Sequence, residues 1–254
     1  MIKPTLEEAK TLSRGCTVVP IMLEIFSDQK TPIEVLRNIR AQGGDCFILE
    51  SVNGGDSWGR YSFLGYKPSV CAVKDGAEPI GAIRELIAGY KSPRIPGLPP
   101  FTGGFVGYFA YDFVRYFIPG LTLGAANDEG FRDYHLMLVD KAVVFDHFKQ
   151  KICIIVNISV ENLENSYIKG VTELKDIERA ILGETARPEE TPPVCGEFTP
   201  LFTEAGFAEM VEKVKAHIVE GDIFQAVVSN RFTAPFKGSL LSTYRLLRTI
   251  NPSP

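Results

Sequence analysis

Long apolar runs, paired cysteines and clustered histidines are all missing from this 254-residue chain. No stretch reaches the 18 or so consecutive apolar residues of a membrane span; the richest, residues 101–114, is broken by three glycines and an aspartate. The opening segment, from Met1 through Glu8, lacks the basic-then-apolar layout of a secretory signal and reads as an acidic helix start, so a cytoplasmic protein is expected. Five cysteines at wide spacing, with no C-x-x-C pair, encode neither a disulfide framework nor a zinc knuckle, and idle thiols are expected. Three histidines (His135, His147, His217) form no H-E-x-x-H pattern, which argues against a metal site and leaves them structural or surface roles. There is no P-loop, no G-x-G-x-x-G after a strand and no G-x-S-x-G elbow, so nucleotide binding and serine hydrolysis have no support. Excess positive charge is lacking too: 27 Lys and Arg against 31 Asp and Glu give a net charge of −4, which disfavours a nucleic-acid binder.

What is present reads as an ordinary globular chain, 45% hydrophobic and 23% charged, long enough for one large domain or two modest ones. Residues 17–24 predict a strand whose Pro20 suggests an edge or a bulge. Thr31, Pro32 and Glu34 form a capping box that opens a helix to about Gln42, ended by Gly43 and Gly44. Strands are predicted at 46–51, 61–64 and 69–74, with a turn at 53–56 and a helix over 79–90. Two long runs, 135–145 and 151–160, predict a hairpin of two central strands. Helix 166–182 carries Ile168, Val171, Leu174, Ile177 and Ile181 on one stripe. Beyond it, helix 207–220, strand 223–232 and a last helix to Ile250 follow a polar, proline-bearing stretch.

These elements predict an α+β fold of mixed, mostly antiparallel sheets packed with helices, without regular βαβ alternation. The expected division is a domain over 1–182, a linker over 183–200 and a second unit over 201–254. One strand with two helices cannot close a sheet, so this second unit is expected to be unfinished.

Three segments carry candidate chemistry. Residues 101–115 crowd Gly103, Gly104 and Gly107 among large aromatics, the composition of a tight sheet-to-helix corner. Glu50 and Ser51 close an apolar strand and Ser62 follows after ten residues; carboxylate and hydroxyl both accept hydrogen bonds and suit an ammonium group, or serve as caps and turns. Gln225 sits among apolar residues, where its amide serves a ligand or a structural hydrogen bond.

In combination, Leu49-Glu50-Ser51, Arg60-Tyr61-Ser62-Phe63-Leu64-Gly65, Gly103-Gly104-x-x-Gly107-Tyr108 with Tyr111-Asp112, Ile223-Phe224-Gln225 and Asn251-Pro252-Ser253-Pro254 resemble component I of anthranilate synthase, in order over nearly the whole chain. Ile48 stands where that family usually has leucine, a conservative change. The resemblance implies a tryptophan-binding feedback site at Glu50, Ser51, Ser62, Asn251, Pro252, Ser253 and Pro254, with Arg60 and Tyr61 as neighbours, and makes Gln225 an active-site contact. The related aminodeoxychorismate synthase component I, which usually has alanine where Ser253 stands, is the alternative within the family, and a non-catalytic tryptophan-binding module is the alternative outside catalysis. Water-adding relatives carry a lysine base where Gln225 stands, and glutamine cannot act as a base near neutral pH.

By the same resemblance the intact subunit converts chorismate and ammonia to anthranilate and pyruvate, with ammonia delivered by a glutamine amidotransferase partner and L-tryptophan as inhibitor. Magnesium is implied on the substrate carboxylate. The family's magnesium ligands and catalytic histidine lie beyond the Asn-Pro-Ser-Pro motif, so no activity is expected of these residues alone. No nucleic-acid or membrane partner is implied.

Overall fold

The computed structural model describes residues 2–50, 59–71, 79–124, 127–183 and 193–250, and the chain divides between residues 185 and 186 into two units. In the first unit the elements run β1 (Ile2–Lys3), α1 (Leu6–Leu12), β2 (Val18–Phe26), α2 (Pro32–Ala41), β3 (Cys46–Glu50), β4 (Tyr61–Tyr66), β5 (Ser69–Cys71), α3 (Pro79–Ala88), β6 (Gly104–Phe109), a short 3₁₀ helix (Tyr111–Tyr116), β7 (Tyr134–Val139), β8 (Lys141–Asp146), β9 (Lys151–Ser159) and α4 (Leu163–Leu182). Six strands form one antiparallel sheet in the order β1-β2-β9-β8-β4-β3, and β5-β7-β6 form a second. An α+β architecture of antiparallel sheets and helices is therefore observed.

Alternation along the strands gives the large sheet two apolar faces. On one, Val19, Ile21, Leu23, Ile152, Ile154 and Ile158 are buried, and α4 lies over them. The close approach comes at Gly170, where an added Cβ would stand 2.5 Å from Ile158 Cγ2 and 2.8 Å from Ile21 Cδ1. The stripe that faces the sheet is thus Gly170, Leu174, Ile177 and Ile181, while Ile168, expected in it, is 63% exposed. On the other face, Met22, Ala142, Val144, Cys153 and Ile155 pack with Phe47, Phe63, Phe101, Val106 and Val139. Val106 and Val139 belong to the smaller sheet, so the first unit is layered as helices, large sheet and small sheet.

Three expectations need revision here. The run 135–145 is not one strand: β7 and β8 belong to different sheets, and the chain bends at Asp140, whose carbonyl accepts from the Asn157 amide N–H (2.8 Å) and from Asn157 Nδ2 (3.2 Å). Pro20 lies inside the sheet; β1 pairs only with Met22 and Leu23, so the imide nitrogen faces the side where β1 has ended. Of the expected capping box at α2, Thr31 Oγ1 accepts from the Glu34 amide at 3.2 Å, but the Glu34 carboxylate pairs with Lys30 at 2.6 Å. The reciprocal arrangement forms instead at α1, between Thr5 and Glu8. The turn expected at 53–56 and the end of the strand at 72–74 lie outside the described residues.

The second unit holds β10 (Val194–Cys195), β11 (Thr199–Pro200), α5 (Glu204–Glu220), β12 (Phe232–Thr233), β13 (Phe236–Lys237) and α6 (Leu241–Ile250). Helix α5 is ended by Gly221 in the left-handed conformation (φ 84°), as its sequence predicts, and begins three residues before the expected 207, capped by Thr203. β10 pairs with β13 and β11 with β12, so paired strands fall inside the stretch expected to be linker; pairs two residues long leave no periodicity to read. The predicted strand 223–232 is likewise reduced to Phe232–Thr233. β-Branched composition alone makes no strand without a neighbour to take its ladder, and no described strand lies beside 223–231. Leu241 is the one buried hydrophobic side chain among the described residues of this unit, whereas Val219, Phe224 and Ile250 are exposed. No helix among the described residues is long and apolar enough to cross a membrane.

Candidate functional site

The register of β3, β4 and β8 builds one polar site at the end of the large sheet. Glu50 lies opposite Ser62, and Ser62 opposite Phe145, so the three share a row on the face that carries α4. Ser62 is 1% exposed, and its hydroxyl reaches Glu50 Oε1 at 3.3 Å and His147 Nε2 at 2.8 Å. His147 continues the row two residues beyond Phe145, its ring stacked on the Phe145 ring at 6.1 Å. Its backbone is held at both groups: the amide donates to the Arg60 carbonyl at 2.9 Å and the carbonyl accepts from Gln150 Nε2 at 2.6 Å.

Beside this row Arg60 forms a two-pronged pair with Asp146, from Nε to Oδ1 at 3.0 Å and from the terminal nitrogen to Oδ2 at 2.6 Å. The guanidinium lies 4.9 Å from the Tyr61 ring centroid and 5.3 Å from that of Phe148. Asp146 is almost fully buried and also accepts from the Lys149 amide at 3.0 Å. Burial opposes its charge, but the Arg60 and Lys149 hydrogen bonds outweigh burial and hold the carboxyl below the usual carboxylate range. Burial pushes the Tyr61 hydroxyl up. The site thus offers two acceptors, a carboxylate and a hydroxyl, next to a cation already matched by its own carboxylate. Such a pair suits an ammonium group.

Of the expected site residues, Glu50 and Ser62 meet in one row, while Arg60 and Tyr61 lie at the same sheet end with the Tyr61 ring packed on the opposite face. Ser51, Asn251, Pro252, Ser253 and Pro254 lie outside the described residues. Gln225 belongs to the second unit, exposed and in irregular chain next to the 93% exposed Phe224, so the buried amide inferred from its apolar neighbours is not what the structure holds. Two residues were missed in the sequence: His147, which completes the row, and Asp146, which holds Arg60 beside it. The signal for them was the hairpin turn following 135–145, which pairing with Tyr61 and Ser62 carries to the site.

The glycine-rich corner is structural, as its composition suggests. A Cβ at Gly107 would stand 1.8 Å from the His135 carbonyl oxygen, and one at Gly103 (φ 149°) 2.3 Å from Asn157 Nδ2, which itself donates to Thr102 at 2.7 Å. Among the described residues one group, His217, Glu220 and Asp222, has the spacing to hold a metal ion. It does not suit magnesium: all three are exposed, and His217 Nδ1, not an oxygen ligand, is engaged with Asp222 Oδ2 at 2.8 Å.

Comparison with known proteins converges on one family. A model of chorismate-binding enzymes matches residues 46–254. Curated relatives include anthranilate synthase component 1 of Acetivibrio thermocellus, 34% identical over all of this chain and 56% of that protein, and of Aquifex aeolicus, 32% identical over 98% of this chain and 54% of that protein. The crystal structure of anthranilate synthase component I from Streptococcus pneumoniae TIGR4 superimposes with a TM-score of 0.63 at 28% identity, covering 90% of this chain and 53% of that one. The chain spans about half the length of the curated relatives it matches.

Proposed function

The chain belongs to the chorismate-binding enzyme family, and from that premise we propose that it is the amino-terminal part of an anthranilate synthase large subunit. The whole enzyme converts chorismate and ammonia to anthranilate and pyruvate: ammonia adds to the ring with loss of the hydroxyl, and pyruvate is then eliminated. Ammonia comes from glutamine through an amidotransferase partner, and the product pathway leads to tryptophan. Kinship to anthranilate synthase component 1 along the full chain is the observation that carries this reading. The open apolar surface of the second unit, with Val219, Phe224 and Ile250 exposed, fits a catalytic domain whose remaining layers are supplied by the rest of a full-length subunit. Magnesium has no fitting ligand set among the described residues, so no step is assigned to it here.

The first unit acts in regulation. Glu50 and Ser62 take the ammonium group of L-tryptophan, with Ser51, Asn251, Pro252, Ser253 and Pro254 as its further contacts and Arg60 and Tyr61 bordering the site. Inhibition is then a coupling between this site and the catalytic one, typically about 1 to 3 kcal/mol, or roughly 5- to 150-fold in affinity. In the full-length enzyme with its partner, Glu50→Ala is expected to raise the tryptophan concentration needed for inhibition at least about tenfold with little change in kcat. Anthranilate fluorescence reads both quantities, and an equal loss of activity and inhibition refutes the assignment. In the same assay the 254-residue chain alone gives no anthranilate; turnover above a buffer blank overturns its reading as a partial enzyme.

A further inference from the structure

The Glu50–Ser62 pair has a third member that the amino-acid site, as proposed above, does not account for. Ser62 Oγ touches Glu50 Oε1 at 3.3 Å and His147 Nε2 at 2.8 Å, yet a hydroxyl carries one proton. An ionised carboxylate only accepts, so the contact to Glu50 is a hydrogen bond only when Ser62 donates to it. His147 Nε2 must then be the donor to Ser62, as it is in the Nε2–H tautomer and in the imidazolium. When Nε2 instead bears a lone pair, Ser62 gives its proton to His147 and not to Glu50. Whether Nε2 carries a proton, which is certain in the imidazolium and depends on the tautomer in the neutral ring, therefore decides the direction of both hydrogen bonds.

We propose that His147 is a positioning residue for the Glu50–Ser62 acceptor pair, and that its protonation weakens the hold of that pair on the ammonium group of an α-amino acid. The proposal rests on the reading of Glu50 and Ser62 as an ammonium site. An imidazolium occupies one Ser62 lone pair, directs the hydroxyl proton at Glu50 and places a positive charge two hydrogen bonds from the carboxylate. Each of these competes with an incoming ammonium; neutral His147 removes the charge. Among the described residues, Glu50 faces His147 from β3 by way of Ser62, and from β4 and β8 the charged neighbours include Arg60 and Asp146, which are bound to each other. The turn contributes the Lys149 amide, bound to Asp146, and the Gln150 side chain, bound to the His147 carbonyl. His147 is exposed and exchanges protons with solvent, whereas Ser62 is buried and can transmit the change only along the row.

The experiment has two arms. In the first, the imidazoles of the chain are labelled with ¹⁵N and titrated without ligand, and the His147 signal is assigned through His147→Gln. Glu50→Gln is expected to lower the proton affinity of His147 about tenfold, and this effect should largely vanish in a Ser62→Ala background. An unchanged titration in Glu50→Gln, or an effect of the same size with and without Ser62, overturns the proposal. In the second arm, tryptophan inhibition of the full-length enzyme is measured between about pH 5 and 8. The wild type should need more tryptophan as pH falls, approaching tenfold per pH unit below the His147 midpoint, while His147→Gln, a neutral donor at an exposed turn, gives a flat profile. A wild-type slope retained in His147→Gln refutes the positioning role. Should the first arm succeed while Glu50→Gln leaves tryptophan inhibition untouched, the relay exists but the ammonium reading beneath it falls, and the proposal with it.

Discussion

Gly170 offers a substitution for which helix propensity and packing predict opposite signs. It lies inside the 20-residue helix α4, where replacing glycine by alanine ordinarily stabilises by about 1 kcal/mol. Here the new methyl carbon would lie 2.5 Å from Ile158 Cγ2 and 2.8 Å from Ile21 Cδ1, against roughly 3.5 to 4 Å for a normal carbon contact. Ile21 Cδ1 is the end of a flexible chain and can rotate away. Ile158 Cγ2 hangs directly on Cβ and cannot, so α4 must lift from the sheet by about 1 Å along the stripe of Leu174, Ile177 and Ile181. Overpacking of this kind costs about 1 to 3 kcal/mol; set against the propensity gain of about 1, Gly170→Ala is expected to destabilise by up to about 2 kcal/mol. Urea unfolding followed by far-ultraviolet circular dichroism reads this as a fall in midpoint of up to about 1 M for a denaturant slope of about 2 kcal/mol per molar. Adding Ile21→Val removes one of the two clashing atoms, so the double variant should lose less than the sum of the two singles. Ile168→Ala on the exposed face should stay within about 0.5 kcal/mol of wild type. A rise in midpoint for Gly170→Ala would refute the packing argument.

Two further outcomes follow from charge and burial. Because the Asp146 carboxyl is held below its ordinary range, its contribution to stability is in place above about pH 4 and is lost as pH falls through its folded value. Asp146→Asn should therefore be less stable than wild type near neutrality, and the gap should close below about pH 4 in unfolding curves taken across pH; a gap that stays constant contradicts the assigned pairing with Arg60. Burial pushes the Cys153 thiol up to about 11, whereas Cys195 is exposed. Iodoacetamide near pH 8 should modify Cys195 in the folded chain and Cys153 only after unfolding, read by peptide mass; early labelling of Cys153 would mean that the two sheets separate readily.

Local pattern made part of this structure legible, and the parts it hid are those decided by distant pairing. Runs of β-branched residues announce β2 and β9, and Gly221 marks the end of α5, because these signals act within a few residues. The break at Asp140 has no such local signature. Alternation continues through 135–145, and what sends β7 and β8 to different sheets is Asn157, which joins the Asp140 and Thr102 carbonyls from the far side of the hairpin. Gly170 escaped for a related reason: a stripe counted in large apolar residues selects Ile168, although close approach to β2 and β9 requires the residue with no side chain. Asn38 is similar, a polar residue buried on the face of α2 because its Nδ2 donates to the Ile181 and Gly183 carbonyls at the end of α4.

The candidate site obeys the same division. Glu50 and Ser62 stand twelve positions apart and meet because β3 and β4 are antiparallel neighbours, a short-range pairing that the strand pattern suggests. His147 reaches Ser62 from 85 residues away and Asp146 reaches Arg60 from 86, through the pairing of β8 with β4. Shifting that pairing by one residue would turn His147 to the opposite face and bring Asp146 to the Ser62 row. The register is fixed by the buried Val143, Phe145 and Leu64 rather than by the polar residues themselves. The geometry of the acceptor pair is thus a consequence of core packing, and a substitution such as Phe145→Ala should disturb the Ser62–His147 contact without removing any polar group.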